Sequence, residues 1–247
     1  MALFIMIFEI IGTLAFAVSG AITGLKKNMD IFGVCILGLT TAVGGGIIRD
    51  LILGITPPAA FRDPTNALLA IGISIVIFIL DLRYDDAEHN KVYELTMLIS
   101  DAAGLGIFTV CGARIAIDAG FSSNIFLTIF VAVLTGVGGG VVRDIFAGDR
   151  PYIFVKHIYA CAALAGAILC RLLWNVAGSG FSMAAGFALV VIIRMLAVRF
   201  NWNLPHSKQR SKQSYRKEVG SIPTSFSFCY GVCPCCFAQA RILNVGI

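Results

Sequence analysis

Seven apolar stretches of about 20 residues each, separated by short charged segments, occupy the chain as far as residue 199. A helix crosses a bilayer with about 20 apolar residues, and it satisfies its own backbone polar groups there. Only 13% of the residues are charged, whereas soluble domains carry about 25%. We therefore predict an all-α polytopic membrane protein with seven transmembrane helices, at residues 2–24, 31–53, 66–82, 94–114, 124–147, 158–174 and 179–199.

The loops between these helices differ in positive charge. The first, third and fifth loops contain most of the loop lysines and arginines, whereas the second and fourth contain only Arg62 and Arg114. An excess of lysine and arginine marks the cytoplasmic side of a membrane protein. We therefore expect the N-terminus outside and the C-terminus in the cytoplasm.

The chain contains an internal duplication. GGGIIRD at residues 44–50 matches GGGVVRD at residues 138–144, and EIIGTLAFAVSGA at residues 9–21 matches DAAGLGIFTVCGA at residues 101–113. Each copy contains three predicted helices. Because this number is odd, the second copy crosses the membrane in the opposite direction to the first, as in the inverted repeats of many transporters. We assign the first three-helix repeat to residues 1–87, the second, inverted repeat to 91–176, and the seventh transmembrane helix to 177–204. The basic, cysteine-containing tail at 205–247 is expected to be disordered.

Three consecutive glycines stand at the same place in each copy: Gly44, Gly45 and Gly46, then Gly138, Gly139 and Gly140. Glycine weakens a helix, and backbone groups freed at membrane depth are tolerated only where protein or a water-filled cavity satisfies them. We interpret both runs as helix breaks that line a pathway near the middle of the membrane. The alternative is close helix packing, because small residues let two backbones approach each other.

Each copy also carries three charged residues at membrane depth: Glu9, Arg49 and Asp50, then Asp101, Arg143 and Asp144. An ionisable side chain there costs at least about 2.5 kcal/mol unless it finds a partner or water. Because neighbours in a helix point to different faces, Arg49 and Asp50 are predicted to be poor partners. We expect two ion pairs instead, Glu9–Arg49 and Asp101–Arg143, while Asp50 and Asp144 cap neighbouring helices or face water-filled vestibules. The alternative is that both arginines extend to the nearer membrane surface.

The duplicated GGGxxRD motif, the glycine and proline after it, and the upstream FAVSGA segment resemble a known bacterial membrane family. That family carries two copies of one domain, which has been labelled a glycine transporter domain, and it is related to the trimeric intracellular cation channels. The resemblance covers residues 1 to about 205. It implies a homotrimer in the bacterial inner membrane, with an hourglass pore for potassium and sodium in each protomer and with the second and fifth helices kinked at their glycines. The lipid-binding lysine–glutamate motif of the animal members has no counterpart here, so phosphoinositide gating is not implied.

Three functions are compatible with these features. The four acidic residues at membrane depth and the backbone carbonyls at the glycine breaks favour a monovalent-cation channel. A secondary transporter of a small amino acid such as glycine is the alternative, since broken helices at a repeat interface bind such substrates. A non-conducting scaffold would lack a continuous polar path between Glu9 and Asp101. The sequence contains no motif that indicates an enzyme or a nucleic-acid partner, and the tail cysteines fit no standard zinc spacing. We therefore expect no cofactor and no metal site.

Overall fold

The computed structural model describes residues 2–83, 89–151 and 158–200, which form helices joined by short turns. Seven of the helices are long and apolar enough to cross a membrane, which confirms the predicted fold class. The tail at 205–247 lies outside the described residues. The helices are α1 (Ala2–Lys26), α2 (Ile31–Ile52), the short α3 (Ala59–Arg62), α4 (Thr65–Arg83), α5 (His89–Ala116), α6 (Ile125–Phe146), α7 (Ile158–Ala177) and α8 (Ser179–Arg199).

Equivalent helices of the two copies begin and end in the same way. Asp30 accepts a hydrogen bond from the backbone N–H of Gly33 at the start of α2 (2.7 Å), and Asn124 accepts one from Leu127 at the start of α6 (3.0 Å). Side-chain oxygens at this position satisfy N–H groups that the first helical turn leaves unpaired. Both helices end before a glycine with a positive φ, +70° at Gly54 and +71° at Gly148, a conformation that residues with a Cβ rarely adopt.

The glycine triplets do not break the helices, so the predicted interruption is wrong. α2 runs without a break through Gly44, Gly45 and Gly46, and α6 does so through Gly138, Gly139 and Gly140. The glycines serve close packing instead. A Cβ at Gly45 would clash with the carbonyl oxygen of Thr135, and one at Gly139 would clash with that of Thr41. Threonine 41 and threonine 135 are themselves equivalent in the duplication, so the crossing of α2 and α6 has the symmetry that the repeat predicts.

Two equivalent phenylalanines meet close to this crossing. The rings of Phe16 and Phe108 stack with their centroids 5.1 Å apart and their planes inclined by 24°. Each ring packs against a glycine of the other copy, because a Cβ at Gly104 would clash with Phe16 and one at Gly12 would lie 3.3 Å from Phe108. Phe16 is 1% exposed and Phe108 is 9% exposed. Apolar packing therefore fills the middle of the bundle, between the two sets of charged residues.

The seventh spanning helix, α8, lies outside the duplication and packs mainly against α5 and α7 of the second copy. Gly186 of α8 faces Cys170 of α7 and Val110 of α5, and a Cβ at Gly186 would lie 3.0 and 2.9 Å from these side chains. Met183 and Val190 of α8 are buried in the apolar clusters of this half. α8 therefore packs mainly with the second copy, and it reaches the first copy through Phe187, whose ring centroid lies 5.8 Å from that of Phe8 in α1.

Candidate functional site

The charged residues of the second copy form a buried network. Asp101, Arg143 and Asp144 are 1%, 0% and 2% exposed. Arg143 Nη1 donates to Asp101 Oδ1 at 2.7 Å and to the hydroxyl of Ser19 at 2.5 Å. The Nε and Nη2 atoms of Arg143 both donate to Asp144 Oδ1, at 2.9 and 2.8 Å. The structure therefore contains the predicted Asp101–Arg143 ion pair, and all three guanidinium nitrogens have acceptors, as burial of a charge requires.

The expectation that neighbouring residues are poor partners is wrong. Arg143 binds Asp144, and in the first copy Arg49 Nε donates to Asp50 Oδ1 at 2.8 Å. The Cβ atoms of neighbouring residues do diverge in a helix. The arginine side chain is nevertheless long enough to bend back, so that its Nε reaches the next carboxylate. Each arginine is therefore neutralised within its own helix before any other helix contributes.

Two residues that the sequence analysis missed complete the second-copy network. Arg194 of α8 is 3% exposed, its Nη2 lies 3.3 Å from Asp101 Oδ2, and its Cζ lies 4.7 Å from the centre of the Tyr159 ring. The hydroxyl of Tyr159 donates to Asp101 Oδ1 at 3.4 Å. A signal for Arg194 existed, because it is the only charged residue within the seventh apolar stretch before Arg199, and such residues are rarely without function.

The corresponding residues of the first copy surround a cavity. Its volume is about 190 Å³, and Glu9, Thr13, Arg49, Asp50, Asp63 and Asn66 supply its polar walls. Asp50 Oδ2 accepts a hydrogen bond from the backbone N–H of Ala59 at 2.8 Å, so this carboxylate holds the first residue of α3 as well as Arg49. Asp50 therefore binds a neighbouring helix start, as the sequence predicts.

Glu9 and Arg49 do not form the predicted ion pair. Both line the cavity, but among the described residues no contact of 4.0 Å or less joins the Glu9 carboxylate to the Arg49 guanidinium. Nη1 and Nη2 of Arg49 have no hydrogen-bond partner in that part of the chain, although Arg49 is only 8% exposed. Thr13, at 2% exposed, likewise makes no hydrogen bond within the described ranges. These groups line the cavity, whose volume of about 190 Å³ is large enough to hold water.

The two sites also differ in charge. Three carboxylates and one arginine line the first-copy cavity, whereas the second-copy network has two carboxylates and two arginines. The third carboxylate of the cavity, Asp63, is exposed and lies before α4. Hydrogen bonds from the side chain and the backbone N–H of Thr65 lower the pKa of Asp63. The Asp63 carboxylate therefore keeps its negative charge to a lower pH than an ordinary aspartate does.

Comparison with known proteins agrees with the duplication. The model of the Glycine transporter family matches the chain twice, at residues 6–81 and 98–175. The UPF0126 membrane protein YvgT of Bacillus subtilis is 38% identical over 204 residues, which are 83% of this chain and 96% of that protein. The UPF0126 inner membrane protein YadS of Escherichia coli is 34% identical over 199 residues, which are 80% of this chain and 93% of that protein.

Solved structures of TRIC channels share the fold. A prokaryotic TRIC channel crystallised in 0.5 M KCl matches with a TM-score of 0.75 and 34% identity, over 83% of this chain and 100% of the other. The TRIC trimeric intracellular cation channel orthologue from Rhodobacter sphaeroides matches with a TM-score of 0.72 and 32% identity, over 80% of this chain and 98% of the other. The chain is a multi-pass membrane protein that belongs to the UPF0126 family and carries two copies of the Glycine transporter family domain.

Proposed function

We propose that this protein is a cation channel of the bacterial inner membrane, a homotrimer with a pore for monovalent cations inside each protomer. The similarity to TRIC cation channels, at 32–35% identity over at least 80% of the chain, supports the channel class and the trimer. The observation that carries the proposal within this chain is the negative first-copy cavity, in which Glu9 is partly exposed and the Thr13 hydroxyl has no hydrogen-bond partner among the described residues. Acidic rings and free oxygen atoms at a pore mouth favour cations.

The proposed pathway follows the duplication. It begins at the first-copy cavity, passes the stacked Phe16 and Phe108 rings at the crossing of α2 and α6, and leaves through the Asp101 network of the second copy. In this structure the rings and the network both fill the pathway, so it corresponds to a closed state. Opening requires the rings to part and the ion pairs of Asp101 to separate, so that water and a cation replace these contacts.

The proposed orientation places the first-copy cavity on the external side of the membrane. Glu9, Arg49 and Asp50 lie towards the end of the bundle at which α1 begins, and the distribution of loop lysines and arginines favours that end as the external one. Asp101, Arg143 and Arg194 then lie towards the cytoplasm. Cations would enter through the negative external cavity and meet a network in which arginines balance the carboxylates.

Electrical recording of the purified protein in lipid bilayers tests this function. In a KCl gradient the wild type should carry current that reverses near the potassium equilibrium potential. Glu9→Gln should reduce the conductance and shift the reversal potential towards zero, because it removes a charge from the cavity. Glu94→Gln, which removes a carboxylate that is exposed and lies outside the cavity, is the matched control. Absence of current, together with saturable exchange of glycine across the membrane, would contradict the channel.

The proposed trimer is tested separately. Native mass measurement of the protein in lipid nanodiscs should give three times the protomer mass of 26.4 kDa once the masses of the lipid and the scaffold protein are subtracted. A monomeric particle that still carries potassium current would remove the trimer from the proposal and leave the pore within the protomer.

A further inference from the structure

We propose that the second copy contains a cation-binding site, formed by Asp101 and Tyr159, and that the guanidinium of Arg194 occupies it as a tethered competitor of the permeant cation. This inference rests on the proposed channel function and adds the regulation of its pathway. It begins from the observation that a cation, the Arg194 side chain, already lies in the site.

The contacts of Arg194 are few for a buried arginine. Its Nη2 has a long hydrogen bond to Asp101 Oδ2, at 3.3 Å, and its Nε is buried without a hydrogen-bond partner among the described residues. By contrast, every guanidinium nitrogen of Arg143 donates to an acceptor. An arginine held for stability alone is expected to have its donors satisfied, because an unpaired buried N–H costs free energy. Arg194 is thus the more easily displaced of the two.

The site has the chemistry that a monovalent cation needs. Asp101 Oδ1 is occupied by Arg143 and Tyr159, whereas Oδ2 has Arg194 as its partner within the described ranges. The same guanidinium lies over the face of the Tyr159 ring, with its Cζ 4.7 Å from the ring centre. A carboxylate oxygen and an aromatic face both attract a cation, most strongly where water is excluded. Withdrawal of Arg194 would therefore free one oxygen and one ring face together.

The duplication supplies an internal comparison. Glu9 occupies the position of Asp101 in the first copy, and the arginines whose charges act on it are Arg49 of the same copy and Arg114 of α5. In the described part of the chain, no arginine of α8 forms an ion pair with it. There the carboxylate faces a cavity of about 190 Å³. Arg194 comes from α8, which the first copy has no equivalent of. The first-copy site, which has no tethered cation, therefore has a cavity beside its carboxylate. In the second copy, Arg194 occupies the corresponding place.

The test combines removal of the side chain with chemical rescue. Arg194→Gly leaves a space of guanidinium size next to Asp101, and we expect potassium flux into proteoliposomes to rise about tenfold, since a charge-assisted hydrogen bond contributes on the order of a factor of ten. Millimolar guanidinium chloride should return the flux of this variant towards the wild-type value and should leave the wild type little changed. Arg199→Gly, an exposed arginine one and a half turns further along α8, is the matched control.

The outcomes separate this inference from the channel itself. If the wild type and Arg199→Gly carry no potassium flux, the proposed function fails. If both carry flux but Arg194→Gly has the same or lower flux, or guanidinium inhibits all three proteins equally, the tethered cation is refuted while the channel stands. Should Arg194→Gly not fold, Arg194→Gln keeps an unbranched polar side chain, shorter than arginine by two bonds, and removes its charge. A rise in flux for this variant supports the inference, and an unchanged or reduced flux overturns it.

Discussion

The crossing of α2 and α6 provides the sharpest test of how the glycine triplets work. Gly45 and Gly46 are neighbours, yet a Cβ at Gly45 would clash with the carbonyl oxygen of Thr135. Within the described ranges, one at Gly46 would meet only Arg49 Nη2, at 3.7 Å. If the triplet exists to weaken the helix, alanine at either position should have a similar effect. If it exists for close packing, only Gly45→Ala should be harmful.

The expected cost follows from the geometry. The clashing atom at Gly45 is backbone, so the two helices must separate by roughly 1 Å to restore ordinary contact, which forfeits a quarter to a half of the dispersion energy between the separated atoms. Overpacking of this kind costs about 1–3 kcal/mol, and we expect about 2 kcal/mol for Gly45→Ala. Gly139→Ala should cost the same amount, because its Cβ would clash with Thr41 and lie 2.8 Å from the Phe16 ring.

The assay is thermal and denaturant unfolding of each variant in one detergent, with potassium flux measured in parallel. Gly46→Ala and Gly72→Ala are the controls, since a Cβ at Gly72 would have no atom of the described residues within 4 Å. Both controls should be neutral or slightly stabilising, because alanine favours a helix more than glycine by up to about 1 kcal/mol. Equal destabilisation by Gly45→Ala and Gly46→Ala would refute the packing argument, and so would a stable Gly139→Ala.

Three further predictions concern the charged residues and the side chains beside them. Asp101→Asn leaves two buried arginines without the carboxylate that they share, and it should lower the free energy of unfolding by about 3–5 kcal/mol. Glu9→Gln, at a partly exposed position, should change that free energy by less than about 1 kcal/mol. Equal losses for the two variants in urea unfolding would contradict the difference between the sites. Lys27→Ala removes a half-exposed contact of 2.5 Å with Asp149 and should cost under about 1 kcal/mol, an effect that disappears in melting curves at 1 M salt. Cys111→Ser places a stronger hydrogen-bond acceptor in the wall of the first-copy cavity. The serine hydroxyl should accept a hydrogen bond from Arg49 and stabilise the protein by about 1 kcal/mol. An unchanged melting temperature would indicate that the serine and Arg49 side chains do not meet.

The sequence predicts the helices well because the membrane leaves few alternatives. Apolar length places seven spans, and the cap residues Asp30 and Asn124 fix where α2 and α6 begin. The largest difference is at α5, which begins at His89 rather than at residue 94. Its first turns are polar, so a hydropathy pattern excludes them, although nothing prevents a helix from continuing beyond the bilayer.

The glycine triplets show where such reasoning fails. Glycine provides both conformational freedom and room for another backbone, and one chain in isolation does not reveal which of the two is used. The spacing did contain a signal for packing: Thr41 and Gly45 stand four residues apart, as do Thr135 and Gly139, and small residues at this spacing bring membrane helices together. A broken helix, by contrast, would have needed partners for its freed backbone groups in the middle of the bundle.

The difference between the two charged sites has a chemical origin in residues that the duplication does not conserve between its copies. Ser19 of the first copy binds Arg143, but the equivalent residue in the second copy is Cys111, which lines the cavity beside Arg49 and is a weak acceptor. Asp101 is bound by Arg194 from α8, while Glu9 has no such partner among the described residues. Each difference alone would loosen the first-copy site relative to the second, and they act in the same direction. The duplicated helices thus create two equivalent places for charge, and two side chains, Ser19 and Arg194, add contacts at the second of them.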